Sequence, residues 1–179
     1  MSPMRAMKEY YDRRAPEYDD WYLGTGLYAD CQRPGWNEDL WELERVVADL
    51  PPARTLDVAR GTGFLTRFLR GEVVGLDQSE RMVEIASWRV PGGRFVVGDA
   101  LDLPFESGSF ERILTGHFYG HLDAGEGKQF LTEARGGRRD SRDRLGAARG
   151  VEVRSWLCSA SSFIIPIGCA VRRGDLLPI

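Results

Sequence analysis

One pattern limits what this chain can fold into. Between Arg54 and Ala86, short apolar runs that each carry an aspartate near their end alternate with glycine turns and helical stretches. "RTLDVA" and "EVVGLD" are two such runs, too short for helices but suited to buried strands. Each is followed by a helical pattern, Phe64–Arg70 and Ser79–Trp88, with Ser79 placed to cap the second. "GRFVVGDA" and "SFERILTG" are further strand-like runs, and "DAGEGKQFLTEAR" reads as a helix starting near Asp123. Strands alternating with helices imply an α/β fold whose parallel sheet is joined by right-handed crossovers.

Upstream, Met4 to Asp20 reads as a helix dense in Tyr, Asp and Arg, its regularity limited by Pro16. After the loop "LGTGLYADCQRPG", Trp36, Leu40, Leu43, Val47 and Leu50 recur at helical spacing until Pro51 and Pro52 close the element. Downstream of Arg135, "GGRRDSRDRLGAARGVEVRSW" is rich in Arg and Gly and keeps neither period. The expected organisation is a helical cap over 1–50, a ligand-binding core over 51–135 and a divergent tail over 136–179.

With 179 residues the chain supports one well-buried domain, and 42% hydrophobic with 28% charged residues suits a globular protein. A net charge of -3 gives no basic field, so nucleic acid is not an expected partner. Cys31, Cys158 and Cys169 are odd in number and lack a Cys-x-x-Cys pair; neither a disulfide framework nor a metal site is expected, and a reducing cytoplasm fits. The amino terminus shows no secretory signal, and the longest apolar patch, "FIIPIGCAV", is far shorter than a membrane span.

In an open parallel sheet, ligands bind beyond the carboxyl ends of the strands, where strand order reverses. "DVARGTG" belongs at that place: Gly61 and Gly63 let backbone approach a ligand, and a helix starting at Phe64 would turn its N–H groups toward it. Asp57 can receive a cation, directly or through water. Asp77 can accept both hydroxyls of a ribose, and Asp99 can accept from the exocyclic amine of a purine. A cation, a ribose and an adenine occur together in S-adenosylmethionine. An NAD site competes, but "GTGFLT" lacks the third glycine of its fingerprint.

Arg54–Leu122 resembles the core of class I S-adenosylmethionine-dependent methyltransferases, of the small-molecule type similar to quinone-biosynthesis methyltransferases. "LDVARGTGFLT" is similar to the family's glycine motif, "VVGLDQSERMVEIA" to its ribose-binding strand and helix, and "FVVGDALDLPFESGSFERIL" to its adenine-side loop and fourth strand. "YYDRRAPEYDDWY" resembles the family's amino-terminal cap helix. The resemblance implies a Rossmann-like, doubly wound parallel sheet with an N-terminal helical cap, and methyl transfer to a small-molecule acceptor. It also implies roles. Asp57, Ala59, Gly61 and Gly63 would line the methionine end, Asp77 would hold the ribose, and Gln78 and Met82 would flank ribose and adenine. Asp99, the Ala100 N–H and Leu101 would meet the adenine. Thr115, Gly116 and His117 would face the methyl, with His117 the candidate catalytic group, and Tyr18 would close over the amino-acid end. Met82 also stands at helical spacing with Ile85, the mark of simple core.

Two features depart from the family pattern. Arg60 stands where related turns carry a small residue or Cys. No apolar run appears where a fifth strand should start after Arg135, so the C-terminal part of the sheet is expected to be incomplete, with an edge lacking a partner. The late segment "VEVRSWLCSASSFIIPIGCAVRR" is the candidate for one or two strands. An active small-molecule methyltransferase is the first expectation, a degenerate inactive relative the alternative, and an NAD-binding oxidoreductase the third.

Overall fold

The sheet grows outward from β1 (Thr55–Val58), whose four residues are all buried. β2 is Val73–Asp77, β3 Arg94–Val97, β4 Arg112–Thr115 and β5 Glu152–Ser155. The computed structural model describes residues 3–135 and 152–155. The strands pair in the order β3-β2-β1-β4-β5, every ladder parallel. Order therefore reverses between β1 and β4, which opens a crevice at the carboxyl ends of those strands.

Register partners in adjacent strands share a face. Leu56, Val58, Val74, Leu76 and Ile113 lie on one face and pack with Phe130 and Ala134 of α5 (Ala124–Ala134) in the main hydrophobic core. Asp57, Gly75, Phe95 and Asp77 fall on the other face. The apolar positions of β1 and β2 are thus split between two covered faces, which is why both runs read as almost continuously apolar. α4 (Glu80–Arg89) packs on β2 and β3, and α1 (Pro3–Arg14) packs on α4.

Capping follows from the residues. Ser79 accepts the Met82 N–H at the start of α4. Asp123 accepts the Gly125 and Glu126 N–H groups, while the Glu126 carboxylate accepts the Asp123 N–H: a complete capping box on α5. α3 (Trp36–Asp49) stops at Leu50, ahead of Pro51, as that residue requires.

Four expectations change. The first helix is broken: α1 ends at Arg14, a 3-10 turn holds Ala15–Glu17 around Pro16, and α2 covers only Asp20–Leu23 before Gly24 at φ 65. Pro16, expected to limit the regularity of this helix, stands in the 3-10 turn that follows α1, and a left-handed glycine ends α2. Phe64–Arg70 is not an α-helix, since only Thr66–Phe68 forms one 3-10 turn. Seven residues lie between Gly63 (φ 75) and Gly71 (φ 98), fewer than two helical turns, and both ends leave helical space. Gly71 must stay bare, because a Cβ there would stand 2.4 Å from the Ala53 carbonyl oxygen.

The edge of β4 does have a partner. β5 runs parallel to it with Arg112 opposite Glu152 and Thr115 opposite Ser155. Backbone hydrogen bonding can recruit a polar segment that the apolar-run criterion passes over. The rest of the 136–179 tail lies outside the described residues. Last, Cys31 is disulfide-bonded. Spacing along the chain did not reveal this, because a disulfide depends on distance in space. Cys158 and Cys169 lie outside the described residues.

Candidate functional site

The crevice is floored by the turn after β1. Ala59 leaves the strand at φ 52, its N–H donating to the Leu76 carbonyl at 2.8 Å, and Gly61 follows at φ 58. The Gly61 N–H donates to Asp77 Oδ2 at 2.8 Å, and the Ser79 N–H donates to Asp77 Oδ1 at 3.0 Å. Asp77 therefore ties the glycine turn to the start of α4. Burial raises its carboxyl above the ordinary range, and the two backbone donors oppose that rise. Each carboxylate oxygen keeps a lone pair beyond its backbone bond, so a diol could still donate to both.

Asp57 lies deeper. Its Oδ2 accepts the Thr66 hydroxyl at 2.6 Å, and burial pushes the carboxyl up to about 6. Asp57 is thus buried and turned to Thr66. Arg60 is buried on the same side. Its Nη1 donates to the Gly61 carbonyl at 2.8 Å, and its guanidinium carbon sits 4.3 Å from the centre of the Phe95 ring.

The two glycines differ. A Cβ on Gly61 would stand 2.8 Å from Tyr18 Cε1, so the ring of Tyr18 rests on the turn, where the cap was expected to close. A Cβ on Gly63 would meet the Ala86 Cβ at 3.1 Å. The closeness that keeps Gly63 bare is to α4. Phe64, expected to start a helix there, is buried and stacks on Tyr22 with centroids 4.2 Å apart.

On the adenine side, Gln78 is half-buried and Met82 is fully buried, as the core alternative for Met82 expects. Asp99 is exposed and its Oδ1 accepts the Leu101 N–H at 2.8 Å. Ala100 is buried in the core and Leu101 packs against it. Thr115 ends β4 buried, and its hydroxyl oxygen has no hydrogen-bond partner among the described residues. Nothing stands within 4 Å of a Cβ built on Gly116. His117 opens a 3-10 turn, His117–His121, and the role expected of its side chain lies outside what is described.

Sequence reasoning missed the groups that hold the cap down. Asp19 accepts from the Thr62 hydroxyl and from Arg89 Nη2, and Arg89 Nη1 donates to the Thr62 carbonyl at 3.0 Å. Ser79 Oγ donates to Asp12 Oδ1 of α1, and Asp12 also pairs with Lys8 at 2.7 Å. The bonds of Asp19 with Thr62 and Arg89 and of Asp12 with Ser79 span 43 to 70 residues, so no local pattern could show them.

Comparison with known proteins agrees with this geometry. The methyltransferase domain family matches residues 55–137. A demethylmenaquinone methyltransferase of Thermotoga maritima is 34% identical over 130 residues, spanning 70% of this chain and 53% of that protein. The chain carries a class I S-adenosylmethionine-dependent methyltransferase domain. A demethylmenaquinone methyltransferase of Clavibacter sepedonicus is 39% identical over 85 residues, 43% of this chain and 35% of that one. Among solved structures, a Thermotoga maritima S-adenosylmethionine-dependent methyltransferase, described as a possible histamine N-methyltransferase, superposes with a TM-score of 0.55 at 26% identity. It covers 73% of this chain and 56% of its own. The DhpI–SAH complex gives a TM-score of 0.56 at 25% identity, covering 72% and 60%. The chain thus spans about half the length of the first of these relatives.

The residues of the methyltransferase domain fit its family's cofactor. Asp77 offers two acceptors beside the glycine turn, and the orphaned Thr115 hydroxyl at the end of β4 calls for a polar partner.

Proposed function

We propose that the protein binds S-adenosylmethionine over the ends of β1 and β2 and transfers its methyl group to a small-molecule acceptor. The observation that carries this reading is Asp77, a carboxylate bonded to the glycine turn at the point where strand order reverses. The cofactor, when bound, supplies an electrophilic methyl group on a sulfonium. The chain's task is to align an acceptor with that methyl and to exclude water. Asp77 would hold the ribose hydroxyls and exposed Asp99 the adenine amine. Tyr18, pressed on Gly61 and followed in the chain by the Asp19 that Arg89 holds, would cover the amino-acid end. Thr115 and Gly116 would border the acceptor, with His117 the candidate base if the acceptor must lose a proton.

Quinone-type rings come first among acceptors to try, because relatives are named demethylmenaquinone methyltransferases. Among the described residues no helix is long and apolar enough to cross a membrane. A cytoplasmic enzyme that needs neither membrane nor nucleic acid completes the reading.

Isothermal titration of the full chain with S-adenosylmethionine and with NAD tests it. Binding of the first alone is expected; a folded protein that binds only NAD, or neither, overturns the reading. Asp77→Ala should weaken S-adenosylmethionine by at least about tenfold while the circular dichroism stays unchanged. An unchanged affinity would remove the ribose assignment.

A further inference from the structure

Arg60 is a charged side chain that the proposed site does not use. It is 8% exposed, and its Nε and Nη2 have no hydrogen-bond partner among the described residues. A Cβ on Gly75 would stand 2.1 Å from Arg60 Nε, so the side chain runs directly across the middle of β2. Gly75 is the register partner of Asp57, and the two share a sheet face one strand spacing apart, about 4.8 Å. Asp77 lies two residues along β2 on that face, about 6.6 Å further. The guanidinium thus lies on the sheet face that carries both buried carboxylates, over Gly75 and Phe95, and among the described residues no ion pair joins it to either. Among the described residues its one hydrogen bond goes to the Gly61 carbonyl, and the N–H of the same residue is bonded to Asp77.

We propose that Arg60 is a buried counter-charge to Asp57 and Asp77 that levels the site's preference between a cationic ligand and its neutral counterpart. Those two are here the sulfonium cofactor and the thioether left once the methyl has gone to the acceptor. The proposal rests on the cofactor reading above. With both aspartates ionised and Arg60 charged, the buried trio carries one net negative charge instead of two. Charges in a water-poor site act over several ångströms with little screening, so that difference reaches a ligand lying on the turn. Other titratable groups also face the trio: Asp12 and Tyr11 of α1 and Tyr18 of the cap lie near Asp77, and Tyr22 lies near Asp57. All of these are acidic or neutral, and Arg60 alone among the groups acting on both carboxylates brings positive charge.

Arg60→Met keeps an unbranched chain and removes both the charge and the orphaned donors. The full chain and this variant are titrated with S-adenosylmethionine and with S-adenosylhomocysteine. The preference for the sulfonium over the thioether should rise by about fivefold or more in the variant. A preference that stays level or falls overturns the proposal. Arg60→Lys should retain the wild-type preference, and a rise matching that of Arg60→Met overturns it too. If the wild-type chain binds neither ligand, the cofactor reading fails while the counter-charge is decided in the free protein. There the Asp57 carboxyl, followed by carbon-13 NMR, should titrate at a higher pH in Arg60→Met, and an unmoved or lowered midpoint overturns the proposal. Should Arg60→Met not fold, Arg60→Gln carries the same readouts.

Discussion

Ala59 does without glycine what its position favours glycine to do. At φ 52 its methyl group crowds the following carbonyl, a strain of about 1–2 kcal/mol for a residue with a side chain. The strain persists because the Ala59 N–H is held by Leu76 and the next turn by Asp77. Ala59→Gly should therefore raise stability by about 0.5–1 kcal/mol, after allowing for the freer unfolded chain; urea unfolding measures it, and a loss would show that the methyl packs usefully. Asp57 carries the pH dependence. Its carboxyl is raised by burial from 3.8 to about 6 in the folded protein. The native state then binds more protons than the unfolded chain across that interval, so this group's contribution falls as pH rises from about 4 to about 6 and stays lost above it. The amount is of the order of 3 kcal/mol. Asp57→Asn, which can still accept from Thr66, should be more stable than wild type at pH 7 and lose that advantage toward pH 4. Denaturant midpoints at both pH values check it, and an advantage that grows on acidification would reverse the sign.

At the level of elements, the cap is fastened to α4 at both ends of that helix. Ser79 serves twice, accepting the Met82 N–H as the α4 cap and donating to Asp12 of α1. At the other end Arg89 reaches Asp19, and Thr62 of the glycine turn joins them. Both charges are largely sheltered, with side-chain exposures of 25% and 18%, so the pair is not a solvated surface bridge. Asp19→Ala should cost about 1.5–3 kcal/mol through its charge-assisted hydrogen bonds. Amide exchange should quicken in α1 and α2 while β1 and β2 keep their protection. Equal quickening in all four elements would mean that cap and sheet open as one unit.

For the whole molecule, the telling element is β5. A core this small has little stability to spare, and β4 would be an open edge without β5. A chain ending at residue 151 should lose protection at Ile113–Thr115 and should associate at high concentration; exchange and light scattering read the two effects. Unchanged protection and a monomer would show that the β4–β5 ladder contributes nothing in solution.

The alternation of strands with helices, the glycine turn and the capping serine were legible because they rest on local chemistry. Apolar runs of strand length, turns that need positive φ and a capping serine act within a few residues of one another, and "RTLDVARGTG", "EVVGLDQS" and "DAGE" carry all of that in order. The helix expected at Phe64–Arg70 failed because periodicity says nothing about how much chain two strands leave between them. The pairing of β5 failed because backbone hydrogen bonds are indifferent to side-chain polarity. The same limit hid Asp12, Asp19 and Arg89, and it hid the placement of Gly63 against α4 and of Arg60 across Gly75. Sequence by itself determined which residues could bend, cap or bury. Only the tertiary structure decided which of them meet, because contacts across 43 to 70 residues depend on how the layers close and leave no period along the chain.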